Sequence, residues 1–181
     1  VPFVVDARTE SRDLLYHFDA VERLAEAQLR GALCGGDDDV RALLREEMKV
    51  ANFLVPGPLW WAFDWDDAKE VAKRRKLGAP HIQTPATPNN GCVVLIDEID
   101  KAESDVPNGL LEALGVSTFT PQGRDNPVTV KGQPPLVMIT TNEERALPDA
   151  FVRRCVVLDM ALPDIREDPA EFNKALTQRE G

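Results

Sequence analysis

Two adjacent carboxylates follow an apolar run in the segment GCVVLIDEIDKAE. The run spans Cys92 to Ile96, and the acids are Asp97 and Glu98. A carboxylate at a strand end can bind Mg²⁺, because this ion takes hard oxygen ligands and only a few of them from protein. A second carboxylate can polarise a water molecule for in-line attack on a phosphate. The pair therefore predicts a magnesium ligand followed by a catalytic base; the alternative is an acidic turn after a buried strand.

Further side chains that suit phosphate chemistry lie downstream. The apolar segment PPLVMITTN ends at Asn142, whose amide is suited to orienting a water molecule. Arg153 and Arg154 precede the apolar segment CVVLDM, and arginine suits developing phosphate charge because its planar guanidinium is permanently cationic. Ligands of open parallel sheets bind beyond the carboxyl ends of the strands, so we expect these side chains to converge. The alternatives are a turn residue for Asn142 and a helix C-terminus for the arginines.

The elements that would position these residues alternate between strands and helices. Helical spacing and start signals predict helices at 11–33, 37–55, 104–115 and 147–154, and a polar helix within 56–76. Apolar runs predict strands at 3–6, 92–96, 134–142 and 155–160, with a hairpin at 117–131. Because the strands do not alternate in polarity and helices separate them, we expect an α/β fold whose parallel sheet is covered on both faces.

Composition narrows the class of protein. The 181 residues suffice for one domain with a short appendage, and 21 basic against 31 acidic residues give a net charge of −10. That charge argues against a general binder of nucleic acids or membrane surfaces. Cys34, Cys92 and Cys155 are too widely spaced for a zinc site, so we expect free thiols in a reducing, cytoplasmic compartment. The start at Val1 suggests a piece of a longer polypeptide.

The densest aromatic group is formed by Trp60, Trp61 and Trp65. Such a group packs in a core or forms an exposed contact with a partner, and the sequence leaves both alternatives open. His17 and His81 have no serine or carboxylate arranged around them in the sequence, so neither is expected to take part in chemistry.

The segment CVVLIDEIDKA, followed some forty residues on by VMITTNEERALPDAFVRRC, closely resembles the AAA+ ATPases. The resemblance implies a P-loop NTPase core with ATP and Mg²⁺ as cofactors. It makes the first segment a Walker B motif, in which Asp97 contacts Mg²⁺ and Glu98 activates water. It makes Asn142 sensor 1, and it makes Arg153 or Arg154 an arginine finger acting on nucleotide in the next subunit.

Within the AAA+ ATPases the chain is most similar to the MoxR-like group, over residues 4–163. The resemblance assigns residues 1–163 to the ATPase core, with a helical insert at about 38–85 and a hairpin at 117–131, and 164–181 to the start of a helical lid. It implies a ring, usually hexameric, that remodels or chaperones protein partners in the cytoplasm. In such a ring the hairpin would contact substrate in the pore through Phe119, Arg124 and Lys131. The alternative is a surface hairpin without that role.

The chain also departs from the family pattern. It contains no Gly-Lys dipeptide and hence no Walker A loop. By the family's strand order, 5-1-4-3-2, the missing first strand would lie between the strand that ends at Asn142 and the one that begins at Cys155. We therefore expect a truncated core that is inactive as an isolated chain. The alternatives are a non-catalytic AAA+-like scaffold or assembly module and, because DEID resembles helicase motifs, a nucleic-acid helicase.

Overall fold

The computed structural model describes residues 1–33, 38–81 and 91–160. The chain divides into two compact units, 1–151 and 152–181. The strands are β1 (Pro2–Val4), β2 (Tyr16–Phe18), β3 (Leu54–Pro56), β4 (Val93–Asp97), β5 (Thr118–Phe119), β6 (Val128–Thr129) and β7 (Leu136–Ile139). The α-helices are α1 (Ala20–Leu33), α2 (Asp38–Glu47), α3 (Pro58–Phe63), α4 (Trp65–Arg74), α5 (Asp105–Val116) and α6 (Asp149–Val152). Short 3₁₀ turns cover Ser11–Leu14, Val50–Phe53 and Ile99–Lys101.

The main sheet has three parallel strands in the order β1-β4-β7. Ile96 of the central strand lies opposite Phe3 on one side and Ile139 on the other. Apolar, β-branched residues dominate β4, as expected for a strand with neighbours on both sides. The prediction of a mixed α/β fold with a parallel sheet is therefore confirmed.

The two faces of this sheet differ in burial. Val94 and Ile96 are fully buried and belong to one core with Val106 and Leu110 of α5. On the opposite face the apolar side chains remain exposed by between 36% and 64%: Val4, Val93, Leu95, Leu136 and Met138. The prediction that both faces are covered is thus wrong for the described residues. In residues 1–33, 38–81 and 91–160, helices cover the sheet on one side. Buried and more exposed residues alternate along β4 although all but the last are apolar, so the apolar run did not reveal the difference between the faces.

The helix predicted at 11–33 begins only at Ala20. Before it, the chain forms a 3₁₀ turn and then β2, which pairs antiparallel with β3. Asp19 starts the helix, because its carboxylate accepts the backbone N–H of Glu22 at 2.8 Å. The residues before the helix, 11–18, are fixed by packing, since Leu14 and Tyr16 are buried in the core. Tertiary packing has overridden the helical spacing.

Residues 155–160, predicted to be the last strand, form no strand in the described structure. Their apolar side chains are largely solvent-exposed, and Val156 is entirely so. A β-strand is stable only when a neighbouring strand satisfies its backbone hydrogen bonds, and an apolar run alone does not provide that partner. The prediction of a fourth main strand is therefore wrong here.

The region 38–81 is mostly helical and contains the tryptophan group. Trp60 is fully buried, Trp61 and Trp65 are almost so, and the latter two rings meet edge-on with centroids 4.9 Å apart. Asp64 caps α4 by accepting the N–H of Asp67 at 3.1 Å. The tryptophans therefore lie in the core rather than on an exposed partner surface.

The predicted hairpin is confirmed, since β5 and β6 pair antiparallel. It is tied to helix α4 by Arg124, whose guanidinium donates to both oxygens of Asp67 at 2.8 and 2.9 Å and lies 5.1 Å from the centroid of the Trp60 ring. Lys131 pairs with Asp64 at 2.7 Å, and the Phe119 ring packs against Trp60. The side chains proposed to contact a substrate are thus engaged within the chain.

Some features of the sequence lie outside the described residues. These are Cys34, the end of the insert at 82–85, and the lid segment at 164–181. Among the described residues, none of the helices is both long enough and apolar enough to cross a membrane.

Candidate functional site

The carboxyl ends of β4 and β7 lie side by side, because the two strands are parallel neighbours. Asp97 ends β4 and Thr140 follows β7. The Thr140 hydroxyl donates a hydrogen bond to Asp97 Oδ1 and accepts one from the backbone N–H of Glu98 at 3.0 Å. The carbonyl of Thr140 accepts the N–H of Ile99 at 3.1 Å. Thr140 therefore joins the two strand ends and fixes the position of Asp97.

The Glu98 carboxylate is held at both of its oxygens. Lys101 Nζ lies 2.6 Å from Oε2, and Asn142 Nδ2 donates to Oε1 at 3.4 Å. The hydrogen bond to Glu98, together with its negative charge, raises the pKa of Lys101. Glu98 and Asn142 are 44 residues apart in the chain, so the parallel sheet is what brings them together.

The backbone at Glu98 is left-handed, with φ of +60° and ψ of +47°. Residues other than glycine rarely adopt this conformation, which costs on the order of 1–3 kcal/mol. Glu143, just after the end of β7, also has a φ of +60°. Both strand ends thus turn through a glutamate in a disfavoured conformation.

Asp100 is 1% exposed and lies beneath this pair of strand ends. Its Oδ2 accepts the backbone N–H of Glu144 at 2.9 Å and that of Asn142 at 3.2 Å. Burial by itself would raise the pKa of Asp100, but hydrogen bonds from these backbone amides outweigh it and hold the pKa below the ordinary value. Asp100 is therefore a buried carboxylate that anchors the loop carrying Asn142.

Arg153 and Arg154 directly follow α6 and belong to the second compact unit. Both side chains are exposed. The structure thus brings Asp97, Glu98 and Asn142 together at one sheet edge, whereas the role of the arginines stays a prediction.

The strand-end residues Asp97, Glu98 and Asn142 are separate from a cavity beside β1. A cavity of about 590 Å³ adjoins the start of the sheet and is lined in part by Phe3, Arg8, His17 and Trp61. It contains none of Asp97, Glu98 and Asn142. The strand-end chemistry is therefore independent of this cavity.

The oxygen atoms at the strand ends could fill only part of the coordination shell of Mg²⁺, and water or phosphate would have to fill the rest. Asp97 and the Thr140 hydroxyl offer hard oxygens, which suit Mg²⁺, an ion that often takes only one or two carboxylates and fills its remaining positions with water and phosphate. Within residues 1–33, 38–81 and 91–160, no three or more His, Cys, Asp and Glu side chains converge to hold a metal ion. Asp97 and Thr140 are therefore the residues that could hold Mg²⁺ at these strand ends.

The chain matches no protein-family model, no curated protein and no solved structure. The case for any function therefore depends on the residues and their arrangement.

The sequence pointed to no part in the chemistry for three residues of this arrangement: Thr140, Asp100 and Lys101. Lys101 is three residues after Glu98, and this spacing in a short turn is the signal that could have linked them. Thr140 and Asp100 bond to segments 42 to 44 residues away, and a local pattern carries no such signal. Arg145, in the same loop, pairs with the exposed Glu103 at 3.0 Å.

Proposed function

We propose that this chain carries the water-activating half of an ATP-hydrolysing site of the AAA+ type, most similar to the MoxR-like ATPases. The observation that carries the proposal is the Glu98 carboxylate at the end of a parallel strand, beside Asp97 and within reach of the Asn142 amide. The sheet order β1-β4-β7 supports it, because it agrees with the adjacency of strands 2, 3 and 4 in the AAA+ order.

In this proposal each residue has a distinct task. Asp97 and the Thr140 hydroxyl would hold Mg²⁺ together with water and the nucleotide's phosphates. When bound, that ion would neutralise charge on the phosphate oxygens. Glu98 accepts a hydrogen bond from the attacking water and takes up its proton, and Asn142 fixes the orientation of both. Each Glu98 oxygen has one hydrogen-bond donor, from Lys101 or Asn142, and a carboxylate oxygen can accept a second bond, so water can bind beside these contacts.

The remaining parts of the proposal concern the assembly. Arg153 or Arg154 would act on ATP bound by the next subunit of a ring, which we propose to be hexameric as in the MoxR-like ATPases. A permanently charged guanidinium can stabilise the transferring phosphate. The ring would couple hydrolysis to remodelling or chaperoning of protein partners in the cytoplasm. A phosphate-binding loop is also required, and these 181 residues contain no Gly-Lys dipeptide to form one.

The test is an ATPase assay on the full-length protein carrying Glu98→Gln. The amide keeps the size of the side chain but cannot take up a proton, so ATP binding should persist while turnover falls by roughly 10²–10⁴-fold. Glu103→Gln is the matched control, because Glu103 is a nearby exposed glutamate paired only on the surface with Arg145. Turnover in the Glu98→Gln variant equal to that of the control would exclude the role assigned to Glu98.

A non-catalytic scaffold is the second candidate, and the absence of a Gly-Lys dipeptide favours it. In a scaffold the Glu98–Lys101 pair would be a structural contact only. Equilibrium binding of ATP with Mg²⁺ to the full-length protein separates the candidates: a scaffold without a phosphate-binding loop binds neither, whereas the ATPase binds both.

A further inference from the structure

We propose that Asp100 is a positioning residue that sets the distance between Asn142 and Glu98. The inference rests on the proposed function for its catalytic consequence, but its structural part stands on the contacts alone. Asp100 touches neither a reacting atom nor Glu98 among its described hydrogen bonds; it acts through the backbone of the loop after β7.

A single carboxylate oxygen holds the loop after β7. The N–H groups of Asn142 and Glu144 point at one oxygen, Asp100 Oδ2, and the residue between them is the left-handed Glu143. Successive N–H groups around a left-handed residue form a concavity that binds an anion. The buried carboxylate fills this concavity, so the backbone that carries the Asn142 side chain is fixed from below.

One short turn restrains both Glu98 and the loop that carries Asn142. The 3₁₀ turn Ile99–Lys101 supplies Asp100, which holds the Asn142 loop, and Lys101, which holds Glu98. Ile99 anchors the turn, since its side chain is fully buried and its N–H donates to the Thr140 carbonyl at 3.1 Å. The 3.4 Å contact between Glu98 Oε1 and Asn142 Nδ2 is therefore set by this turn.

Burying the charge of the Asp100 carboxylate costs folding stability. Asp100 Oδ1 is buried without a hydrogen-bond partner among the described residues. An unpaired buried polar atom is destabilising, and it is more so on a charged group. Asparagine would offer an acceptor to the same two amides without burying a charge. A carboxylate accepts hydrogen bonds that are roughly twofold stronger than those of a neutral acceptor, which suits a role in fixing geometry rather than in stability alone.

The kinetic test uses Asp100→Ala, Asn142→Ala and the double variant in the full-length protein. Loss of the anchor should lower kcat for ATP by about 10–100-fold with little change in KM, because small displacements near the chemistry reduce rate rather than binding. If Asp100 acts through Asn142, the double variant should be no slower than Asn142→Ala. Multiplied losses in the double variant would overturn the inference.

Asp64→Ala is the matched control. Asp64 is also a buried aspartate that accepts a backbone N–H and pairs with Lys131, but it lies at the start of α4. Its variant should lower the melting temperature without the loss of kcat. Asp100→Asn should restore most of the kcat lost in Asp100→Ala, because its amide oxygen can still accept both N–H groups. Equal kcat in the two alanine variants contradicts a positioning role.

A second measurement does not depend on ATP hydrolysis. In ¹H–¹⁵N NMR spectra, Asp100→Ala should move the backbone amides of Asn142 and Glu144 upfield and shift the Asn142 side-chain NH₂ signals, whereas Asp64→Ala should leave all of them in place. If the backbone amides move but the Asn142 NH₂ signals do not, the inference is wrong. A wild type without ATPase activity would reject the proposed function and leave this result valid.

Discussion

Lys101 and Glu98 form the closest charge contact at the candidate site, at 2.6 Å. The Lys101 side chain is 39% exposed and that of Glu98 29%, so solvent partly screens the pair. Its main effect is therefore on position and protonation rather than on global stability. The Lys101 ammonium group at this place restricts the orientation of the Glu98 carboxylate.

Glu98→Gln should lower the pKa of Lys101. The hydrogen bond and charge of Glu98 are what raise that pKa, and the amide removes the charge. The contribution of the raised pKa to folding is present below the ordinary lysine pKa and is lost as pH rises through the folded value. A pH titration of ¹³C-dimethylated lysines by NMR measures the change.

Lys131 provides the internal control for this titration. Its pKa is raised by a different partner, Asp64, which Glu98→Gln does not touch. The Lys131 signal should therefore titrate as in the wild type. An unchanged Lys101 signal would show that the pair does not form in solution.

At the scale of elements, the hairpin and helix α4 are joined by a partly buried ion pair. Arg124 and Asp67 have side chains only 19% and 25% exposed, and Trp60 Nε1 donates to the same carboxylate at 2.9 Å. Burial alone would raise the pKa of Asp67, but the hydrogen bonds from Arg124 and Trp60 outweigh it and lower the pKa below the ordinary 3.8. This contact, rather than the two-residue strands, fixes the hairpin on the domain.

A double-mutant cycle with Asp67→Asn and Arg124→Gln should give a coupling free energy of about 1–2 kcal/mol at neutral pH, as expected for a bidentate, charge-assisted contact. Because the folded-state pKa of Asp67 is lowered, this stabilisation is present above the unfolded pKa and lost as pH falls through the folded one. Urea unfolding at neutral pH and at about pH 3 measures both. A coupling free energy that does not change with pH would contradict the ionic character of the contact.

The elements that sequence predicted well are those whose signals are local. The hairpin, helix α5 and strand β4 each have their turn, helical spacing or apolar run within a dozen residues. Residues 11–18 were misassigned, because their packing depends on β3, which follows after more than thirty residues. The prediction of a strand at 155–160 was wrong for the same reason, because an apolar run does not form a strand without a partner strand.

The same distinction between local signals and long-range contacts applies to the candidate site. The meeting of Glu98 and Asn142 follows from parallel strands ending at one edge, so it could be expected from the sequence. The roles of Thr140 and Asp100 could not, because each is defined by hydrogen bonds between two segments some forty residues apart. A sequence pattern records which residues are present, but not the loop conformation that turns two N–H groups towards one carboxylate.

At the scale of the whole molecule, one face of the β1-β4-β7 sheet is apolar yet exposed in the part of the chain that the structure describes. Contiguous exposed apolar surface is uncommon on a monomeric protein and marks a site that another element covers, or a tendency to associate. The net charge of −10 opposes association at neutral pH. The solution behaviour of the chain should thus depend on the balance between this face and the negative charge.

Substitutions on the two faces should therefore differ sharply in their effect on stability. Met138→Lys places a charge on the open face, where the side chain is 53% exposed, and should change the free energy of unfolding by less than about 1 kcal/mol. Ile96→Lys buries an unpaired charge at a fully buried position and should unfold the chain. Thermal unfolding followed by circular dichroism compares the two. Equal destabilisation would show that the open face is covered in solution.

The left-handed backbone at Glu98 has a consequence for protein engineering. A stabilisation campaign that replaces disfavoured residues would select glycine at position 98, because glycine adopts a φ of +60° without strain. The same substitution removes the carboxylate on which the proposed chemistry depends. Position 98 is thus one at which optimising the folded state and preserving function require different amino acids, and a more stable variant made there would be the less informative protein.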